Sequence, residues 1–119
     1  MNYTHFFKYD FDKFNKDDRI VIYGASEIGH AILMEIEKRK SGSVLCFVDQ
    51  NAYRPYEFES GRFFNIPVIE PGEIATIDYD FIIIASYSSQ KQIKTLLLGQ
   101  GINESKIVSS LNFSYLDLY

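Results

Sequence analysis

The sequence predicts one α/β domain built around a doubly wound sheet of parallel strands. Three observations lead to this fold class: two continuous apolar runs early in the chain, a helical stretch between them, and a second half in which strands and helices alternate again. Continuous apolar runs are typical of strands buried on both faces, as in parallel sheets. The 119 residues fit a single domain, since cores of about 100–150 residues are the commonest size.

The first two strands are predicted at residues 19–23 (Arg-Ile-Val-Ile-Tyr) and 43–48 (Ser-Val-Leu-Cys-Phe-Val). The stretch 27–40 between them carries apolar residues at helical spacing, with Ser26 as the N-cap and Gly42 just past the end. A strand, a helix and a second strand of this kind form a βαβ unit. Its strands are parallel and its crossover is right-handed.

The second half of the chain predicts three more strands, at residues 66–69, 79–85 and 106–109. A short helix is predicted over residues 71–75, and a longer one between the last two strands. Alternating strands and helices favour a doubly wound sheet. We expect five strands in the order 3-2-1-4-5, with the first strand central.

Two aromatic-rich segments lie outside this scheme, residues 1–18 and residues 50–65. The first is predicted to be an N-terminal extension, and residues 19–119 to be the domain itself. Four phenylalanines of the extension would otherwise expose a large apolar patch: Phe6, Phe7, Phe11 and Phe14. We expect the extension to pack on a helix that flanks the sheet, in its own chain or in a symmetry mate, and we predict a homodimer. A connection as long as 50–65 is usually functional or partly ordered.

Charge and hydropathy argue against two classes of partner. The chain has 12 Lys and Arg against 16 Asp and Glu, a net charge of −4, so it lacks the basic face that nucleic acids require. Its longest apolar runs are about five residues, far below the roughly 20 that span a bilayer. The acidic N-terminus does not resemble a signal peptide, and the single Cys46 cannot form an intrachain disulfide. We therefore expect a cytoplasmic domain without a membrane span.

The segment from Gly24 to Gly29 (Gly-Ala-Ser-Glu-Ile-Gly) directly follows the first strand and opens the helix. A dinucleotide fingerprint has glycine at the first, third and sixth positions of such a loop, and an acid about 20 residues later that binds ribose hydroxyls. Here the first and sixth positions are met, Ser26 takes the third, and Asp49 stands 20 residues after Gly29. The pattern predicts a nucleotide ligand, either NAD or NADP or a sugar nucleotide.

The ligand is expected at the carboxyl ends of the strands, with its phosphates over the amides of residues 25–29 and its ribose at Asp49. Because an acid repels a 2′-phosphate, NAD should bind better than NADP unless Arg54 pairs with that phosphate. The end of the fourth strand should line the same cleft. The predicted cofactor-binding residues are Gly24, Ala25, Ser26, Glu27, Ile28, Gly29, Asp49, Arg54, Ala85, Ser86 and Tyr87.

Two residues of the loop favour an alternative interpretation. The Ser26 side chain occupies space where backbone usually meets phosphate, and a Glu27 carboxylate near a phosphate costs about 1–3 kcal/mol. In this alternative Gly24 and Gly29 only permit the turn and the helix–strand packing, while Ser26 caps the helix and Glu27 complements its dipole. The chain would then be a regulatory or interaction module without a nucleotide.

Several short motifs together resemble a known type of domain: Ile-Val-Ile-Tyr-Gly-Ala-Ser-Glu-Ile-Gly at 20–29, Cys-Phe-Val-Asp at 46–49, Gly61 with Ile-Pro-Val-Ile at 66–69, Asp-Phe-Ile-Ile-Ile-Ala at 80–85, and Gly101-Ile102 with Lys106-Ile107. They resemble the small Rossmann-like, NAD(P)- or CoA-binding type of domain that precedes the catalytic domain in bacterial nucleotide-sugar dehydratases and epimerases of polysaccharide biosynthesis. A similar unit begins sugar acyltransferases of surface-glycan pathways. The resemblance implies a Rossmann-like fold and a role in surface-polysaccharide biosynthesis. It also implies nucleotide contacts from Gly24, Ala25, Ser26, Gly29 and Asp49.

No catalytic or metal-binding residue is predicted. Tyr87 and Lys91 have the Tyr-x-x-x-Lys spacing that resembles short-chain dehydrogenases, but they follow the fourth predicted strand, whereas that family places the pair after the fifth. His5 and His30 have no metal-ligand spacing with Cys46 or with a carboxylate. We expect that this chain catalyses no reaction alone, and that the site of a nucleotide-sugar oxidoreductase, dehydratase or epimerase would need another chain to complete it.

Overall fold

A mixed sheet of six strands lies at the centre of the fold, with helices packed against both faces. The computed structural model describes residues 9–53, 57–86 and 88–110. In chain order the elements are β1 (Arg19–Tyr23), α1 (Glu27–Arg39), β2 (Ser43–Val48), β3 (Arg62–Phe63), β4 (Ile66–Ile69), β5 (Phe81–Ile84), α2 (Gln90–Gly99) and β6 (Ile107–Val108). Short 3-10 helices occupy Phe11–Lys13, Glu59–Gly61, Pro71–Thr76 and Glu104–Lys106.

The strands follow the order β3-β4-β2-β1-β5-β6 across the sheet. Strand β1 pairs in parallel with both of its neighbours, with Ile22 opposite Phe47 of β2 and opposite Ile83 of β5. The pairs β2–β4 and β5–β6 are parallel as well. The predicted parallel pairing of residues 19–23 with residues 43–48 is therefore confirmed.

The predicted sheet of five strands, all parallel and in the order 3-2-1-4-5, is wrong. A sixth strand, β3, lies beyond β4 and pairs with it in the antiparallel direction, with Phe63 opposite Ile66. Phe64 and Asn65 join the two strands, and their φ angles of 49° and 67° are the left-handed values that a two-residue hairpin turn needs. The sequence did not predict this hairpin because phenylalanine rarely takes a positive φ and because no Asn-Gly or Asp-Gly marks the turn.

Helix α1 begins and ends at residues that satisfy its terminal backbone groups. The Ser26 Oγ accepts a hydrogen bond from the Gly29 N–H at 3.4 Å, so the predicted N-cap is confirmed. At the other end Lys40 takes the left-handed conformation, with φ of 54°, and its N–H donates to the carbonyls of Ile36 and Glu37. The helix therefore ends at Arg39, three residues before Gly42.

Side chains of the strands alternate between two apolar cores, one on each face of the sheet. The core on the α1 face includes Ile20, Ile22, Phe47 and Ile83 from the strands and Ile32, Leu33 and Ile36 from α1. The core on the opposite face includes Val21, Val48, Ile82 and Ile84 from the strands, Leu97 from α2 and Ile74 from the 3-10 helix before β5. Burial on both faces explains why the strand sequences are continuously apolar.

Both α-helices are short, with 13 residues in α1 and 10 in α2. A bilayer requires roughly 20 residues of helix. Within the described ranges no helix is long and apolar enough to cross a membrane.

The segment before β1 packs on its own chain. The buried Phe14 ring meets the Phe81 ring of β5 edge-on, with 5.0 Å between the ring centroids. The Arg39 guanidinium at the end of α1 lies 5.2 Å from the centroid of the Phe11 ring. The described part of the predicted extension thus covers the sheet beside α1. Residues 1–8, which include the other two phenylalanines of the predicted apolar patch, lie outside the described residues.

Candidate functional site

The loop from β1 to α1 requires glycine at its first position. Gly24 has a φ of 124°, and its N–H donates to the Val48 carbonyl at 2.8 Å, at the end of β2. A Cβ atom on Gly24 would lie 2.8 Å from the Ala85 carbonyl oxygen, just past the end of β5. Any side chain here would strain the backbone and push it away from β5. The loop therefore runs directly over the carboxyl ends of β1, β2 and β5.

The glycine at the sixth position packs α1 closely against this loop. A Cβ atom on Gly29 would overlap the Gly24 carbonyl oxygen and would lie 3.2 Å from a ring carbon of Phe47. Close approach of the helix to the loop and the sheet therefore excludes a side chain at this position.

The Asp49 carboxylate joins the carboxyl ends of β1 and β2. Its Oδ2 accepts a hydrogen bond from the Ala25 N–H at 3.3 Å, and its Oδ1 accepts one from the Asn51 N–H at 2.9 Å. The Asp49 N–H donates to the Ile69 carbonyl at 2.9 Å, which fixes the residue against the end of β4. Burial raises the pKa of the Tyr23 hydroxyl, and the negative charge of Asp49 raises it further. A fixed, half-buried carboxylate thus lies beside the glycine loop.

The first turn of α1 presents backbone donors at the same edge of the sheet. Within the described residues the N–H groups of Ser26 and Ile28 make no hydrogen bond, as is usual at the start of a helix. Such amides, together with the helix dipole, attract anions. Glu27, the first helical residue, places its own carboxylate in this turn. The edge therefore combines donors suited to phosphate with one charge that opposes it.

Two residues after β5 extend this edge on the other side of the loop. Ala85 is buried, and its N–H donates to the Tyr23 carbonyl at 2.9 Å. Ser86 is half-buried, and its Oγ accepts a hydrogen bond from the Ser89 N–H at 3.1 Å, just before α2 begins.

The structure places most of the predicted binding residues at one edge of the sheet, where β1, β2 and β5 end. These residues are Gly24, Ala25, Ser26, Glu27, Ile28, Gly29, Asp49, Ala85 and Ser86. The two others, Arg54 and Tyr87, lie outside the described residues. Lys91, the second member of the Tyr-x-x-x-Lys spacing, is exposed in the first turn of α2.

His30 stacks on an aromatic ring of the hairpin turn. The ring centroids of His30 and Phe64 are 3.6 Å apart and their planes differ by 11°. The neighbouring Phe63 ring meets the Phe47 ring of β2 edge-on at 5.1 Å. Part of the long aromatic connection therefore packs on the α1 face of the sheet. Among the described side chains, no group of three or more His, Cys, Asp and Glu could hold a metal ion.

One polar contact near this edge was not predicted from the sequence. The Tyr53 hydroxyl donates to Glu73 Oε1 at 2.6 Å, and Glu73 Oε2 accepts from the Glu70 N–H at 2.9 Å. The hydrogen bond between the two side chains raises the pKa of Tyr53 and lowers that of Glu73. Glu70, Pro71 and Glu73 have the spacing of a capping box with proline at the first helical position, a local pattern that could have identified the acceptor.

The structure also contains a separate recess of about 450 Å³. It is lined by the 3-10 helix Pro71–Thr76, by the chain after α2, and by Tyr79 and Lys106, which precede β5 and β6. The Lys106 ammonium donates to the Tyr79 carbonyl at 3.3 Å and lies 5.0 Å from the centroid of the Tyr79 ring. None of the predicted binding residues lines this recess.

One family model, described as C2185-like, N-terminal, matches residues 16–108. The match begins just before β1 and ends at the last residue of β6, so it includes the whole sheet and both α-helices. No curated protein matches the chain.

Proposed function

This chain belongs to the C2185-like N-terminal family, and we propose that it binds a nucleotide at the edge where β1, β2 and β5 end. The proposal rests on the convergence there of the glycine-dependent loop, the first-turn amides of α1, and the Asp49 carboxylate 3.3 Å from the Ala25 N–H. Ligands of open α/β sheets bind outside the carboxyl ends of the strands, and helix N-termini attract phosphate. The phosphates lie over the amides of residues 25–29, and Asp49 accepts hydrogen bonds from the ribose.

The acid at the ribose position favours NAD or a sugar nucleotide over NADP. A carboxylate accepts hydrogen bonds from ribose hydroxyls, whereas it repels a 2′-phosphate. The sequence motifs support a role in surface-polysaccharide biosynthesis, in the cytoplasm, where the chain supplies nucleotide binding and a second chain supplies the catalytic groups. Phe11 and Phe14 pack on their own chain, so the proposed homodimer rests on the other two phenylalanines of the N-terminal segment, Phe6 and Phe7.

A second candidate is a regulatory or interaction module without a nucleotide. The observation that favours it is that the Ala25 N–H already donates a hydrogen bond to Asp49 Oδ2 and is not free to bind a phosphate. Glu27 adds another carboxylate in the first turn of α1. Internal carboxylates at these positions complement the loop amide and the helix dipole as a bound phosphate would. In this interpretation Gly24 and Gly29 serve only the turn and the packing.

Calorimetry of the full chain with NAD, NADP, CoA and UDP-glucose separates the two candidates. The nucleotide proposal expects binding of NAD or UDP-glucose, and weaker binding of NADP than of NAD. The second candidate expects no heat of binding from any of the four at millimolar concentration.

A further inference from the structure

Tyr53 is an exposed aromatic residue whose ring is nevertheless fixed. Tyr53 is 61 % exposed, yet its hydroxyl donates to Glu73 Oε1 at 2.6 Å. Glu73 is fixed in turn, since its Oε2 accepts from the Glu70 N–H at 2.9 Å. Two hydrogen bonds in series therefore anchor the phenol to the start of the 3-10 helix that follows β4. An exposed tyrosine held in this way presents an apolar ring surface to solvent at little entropic cost on binding.

Tyr53 directly follows a turn that begins at Asp49. The Asp49 carboxylate accepts the Asn51 N–H at 2.9 Å, and the Asp49 carbonyl accepts the Ala52 N–H at 3.2 Å. Ala52 is buried, which ties the far end of the turn to the core. The Cα atoms of Asp49 and Ala52, the ends of this turn, lie within about 7 Å of each other, and Tyr53 is the next residue. The carboxylate and the tyrosine ring are thus two fixed groups at the ends of β2 and β4.

We propose that Tyr53 stacks on the heterocyclic base of a nucleotide whose ribose Asp49 holds, an inference that rests on the nucleotide-binding function proposed above. Ribose hydroxyls require a fixed acceptor, and a base requires a flat apolar surface a few ångströms away. Asp49, at the start of the turn, and Tyr53, directly after it, supply these two groups. Every base has an aromatic face, so the ring contributes affinity for the nucleotide class and Glu73 acts as a positioning residue for the ring.

The experiment compares two ligands that differ only in the base. AMP and ribose 5-phosphate share the ribose and the phosphate, and each is titrated calorimetrically into the wild-type chain, Tyr53→Ala and Tyr53→Phe. Base stacking is worth about 1–3 kcal/mol, so Tyr53→Ala should raise the Kd of AMP by about 5- to 150-fold. The Kd of ribose 5-phosphate should not change. Tyr53→Phe keeps the ring but loses the hydrogen bond to Glu73, so its AMP affinity should lie between those of the wild type and Tyr53→Ala.

The outcomes distinguish this inference from the function on which it rests. If the wild-type chain binds AMP and Tyr53→Ala binds it equally well, the inference is overturned but the proposed nucleotide-binding function stands. If Tyr53→Ala weakens the binding of AMP and of ribose 5-phosphate equally, the inference is also overturned. Tyr53 would then support the shape of the turn and would not contact the base. If the wild-type chain binds neither ligand, the inference falls, whereas the proposed function falls only if NAD and UDP-glucose also fail to bind. Thermal unfolding of each variant verifies that this exposed position leaves the fold intact.

Discussion

The Asp49 carboxylate accepts a hydrogen bond from the Ala25 backbone N–H, with 3.3 Å between Oδ2 and the nitrogen. This bond connects the residue that follows β2 to the loop that follows β1, across 24 positions of sequence. The remaining oxygen accepts the Asn51 N–H, so the carboxylate orders two loops at once. A group that already serves the fold in this way is preorganised for a ligand, since little further ordering is needed on binding.

Replacing Asp49 by alanine should weaken NAD binding by about 1–3 kcal/mol, because the substitution removes a charged hydrogen-bond acceptor. Asp49→Asn is the matched control: it keeps an acceptor for the Asn51 N–H and loses the charge, so its effect should be smaller. Calorimetry gives both affinities. An unchanged NAD affinity in Asp49→Ala would show that the carboxylate serves only the two loops.

Gly29→Ala should lower the free energy of unfolding by about 1–3 kcal/mol or more, since the new Cβ overlaps the Gly24 carbonyl and forces the helix away from the loop. Gly72→Ala is the comparison, because nothing lies within 4 Å of a Cβ atom at that position. Urea unfolding of the two variants measures the difference. Equal stability of the two variants would contradict the close packing of α1.

Tyr9→Phe should reduce the loss of stability in alkaline solution. The buried Tyr9 hydroxyl donates to the Ile84 carbonyl at 2.6 Å, and burial raises its pKa above the ordinary 10.0. The folded state therefore keeps the phenol neutral, and stability falls as the pH rises above 10.0 and the unfolded phenol ionises. At neutral pH the free energy of unfolding of the variant should be lower by about 0.5–1.5 kcal/mol, the usual contribution of one hydrogen bond. Parallel stability curves for both proteins between neutral and alkaline pH would argue against this.

Asp80→Asn should remove part of the stability loss in acid. Asp80 Oδ2 accepts the Arg19 Nε–H at 3.3 Å and the Arg19 backbone N–H at 2.7 Å, and these hydrogen bonds, the side-chain bond most of all, hold the pKa of Asp80 below its usual 3.8. A lowered folded pKa means that the contribution is present above pH 3.8 and is lost as the pH falls through the folded value. Asp78→Asn, at an exposed carboxylate 2.7 Å from Arg19 Nη1, should change the stability in acid less than Asp80→Asn does. Urea titrations at neutral and acidic pH test both variants, and identical acid profiles for Asp80→Asn and wild type would contradict it.

Deleting residues 1–8 should convert the proposed homodimer to a monomer without unfolding it, because Phe11 and Phe14 remain to cover the sheet. Analytical ultracentrifugation of the full and shortened chains gives the two masses. A full chain that sediments as a monomer at high concentration would refute the dimer.

Local patterns were sufficient to predict the loop and the helix of the candidate site. About 30 consecutive residues contain all of the relevant features: the strand–loop–helix order around Gly24 and Gly29, the Ser26 cap and the position of Asp49. Their hydrogen bonds mostly join close neighbours in sequence or the ends of paired strands, which apolar runs identify well.

Contacts between distant segments were not predictable in the same way. The Tyr53–Glu73 bond spans 20 positions and the Tyr9–Ile84 bond spans 75, and no local pattern pairs these residues. The hairpin at Phe64 and Asn65 is not predictable for another reason, since left-handed backbone is costly at non-glycine residues. Tertiary packing of Phe63 on Phe47 and of Phe64 on His30 outweighs that cost.

The outermost strands of the sheet are each two residues long, Arg62–Phe63 on one side and Ile107–Val108 on the other. A strand edge with unpaired backbone groups is a template on which further chains can add and polymerise. Two residues offer too short a template for such growth, and the exposed, charged Arg62 side chain further disfavours it. Short outer strands on both sides of the described sheet therefore disfavour edge-to-edge association, even though the central strands are among the most apolar segments of the sequence.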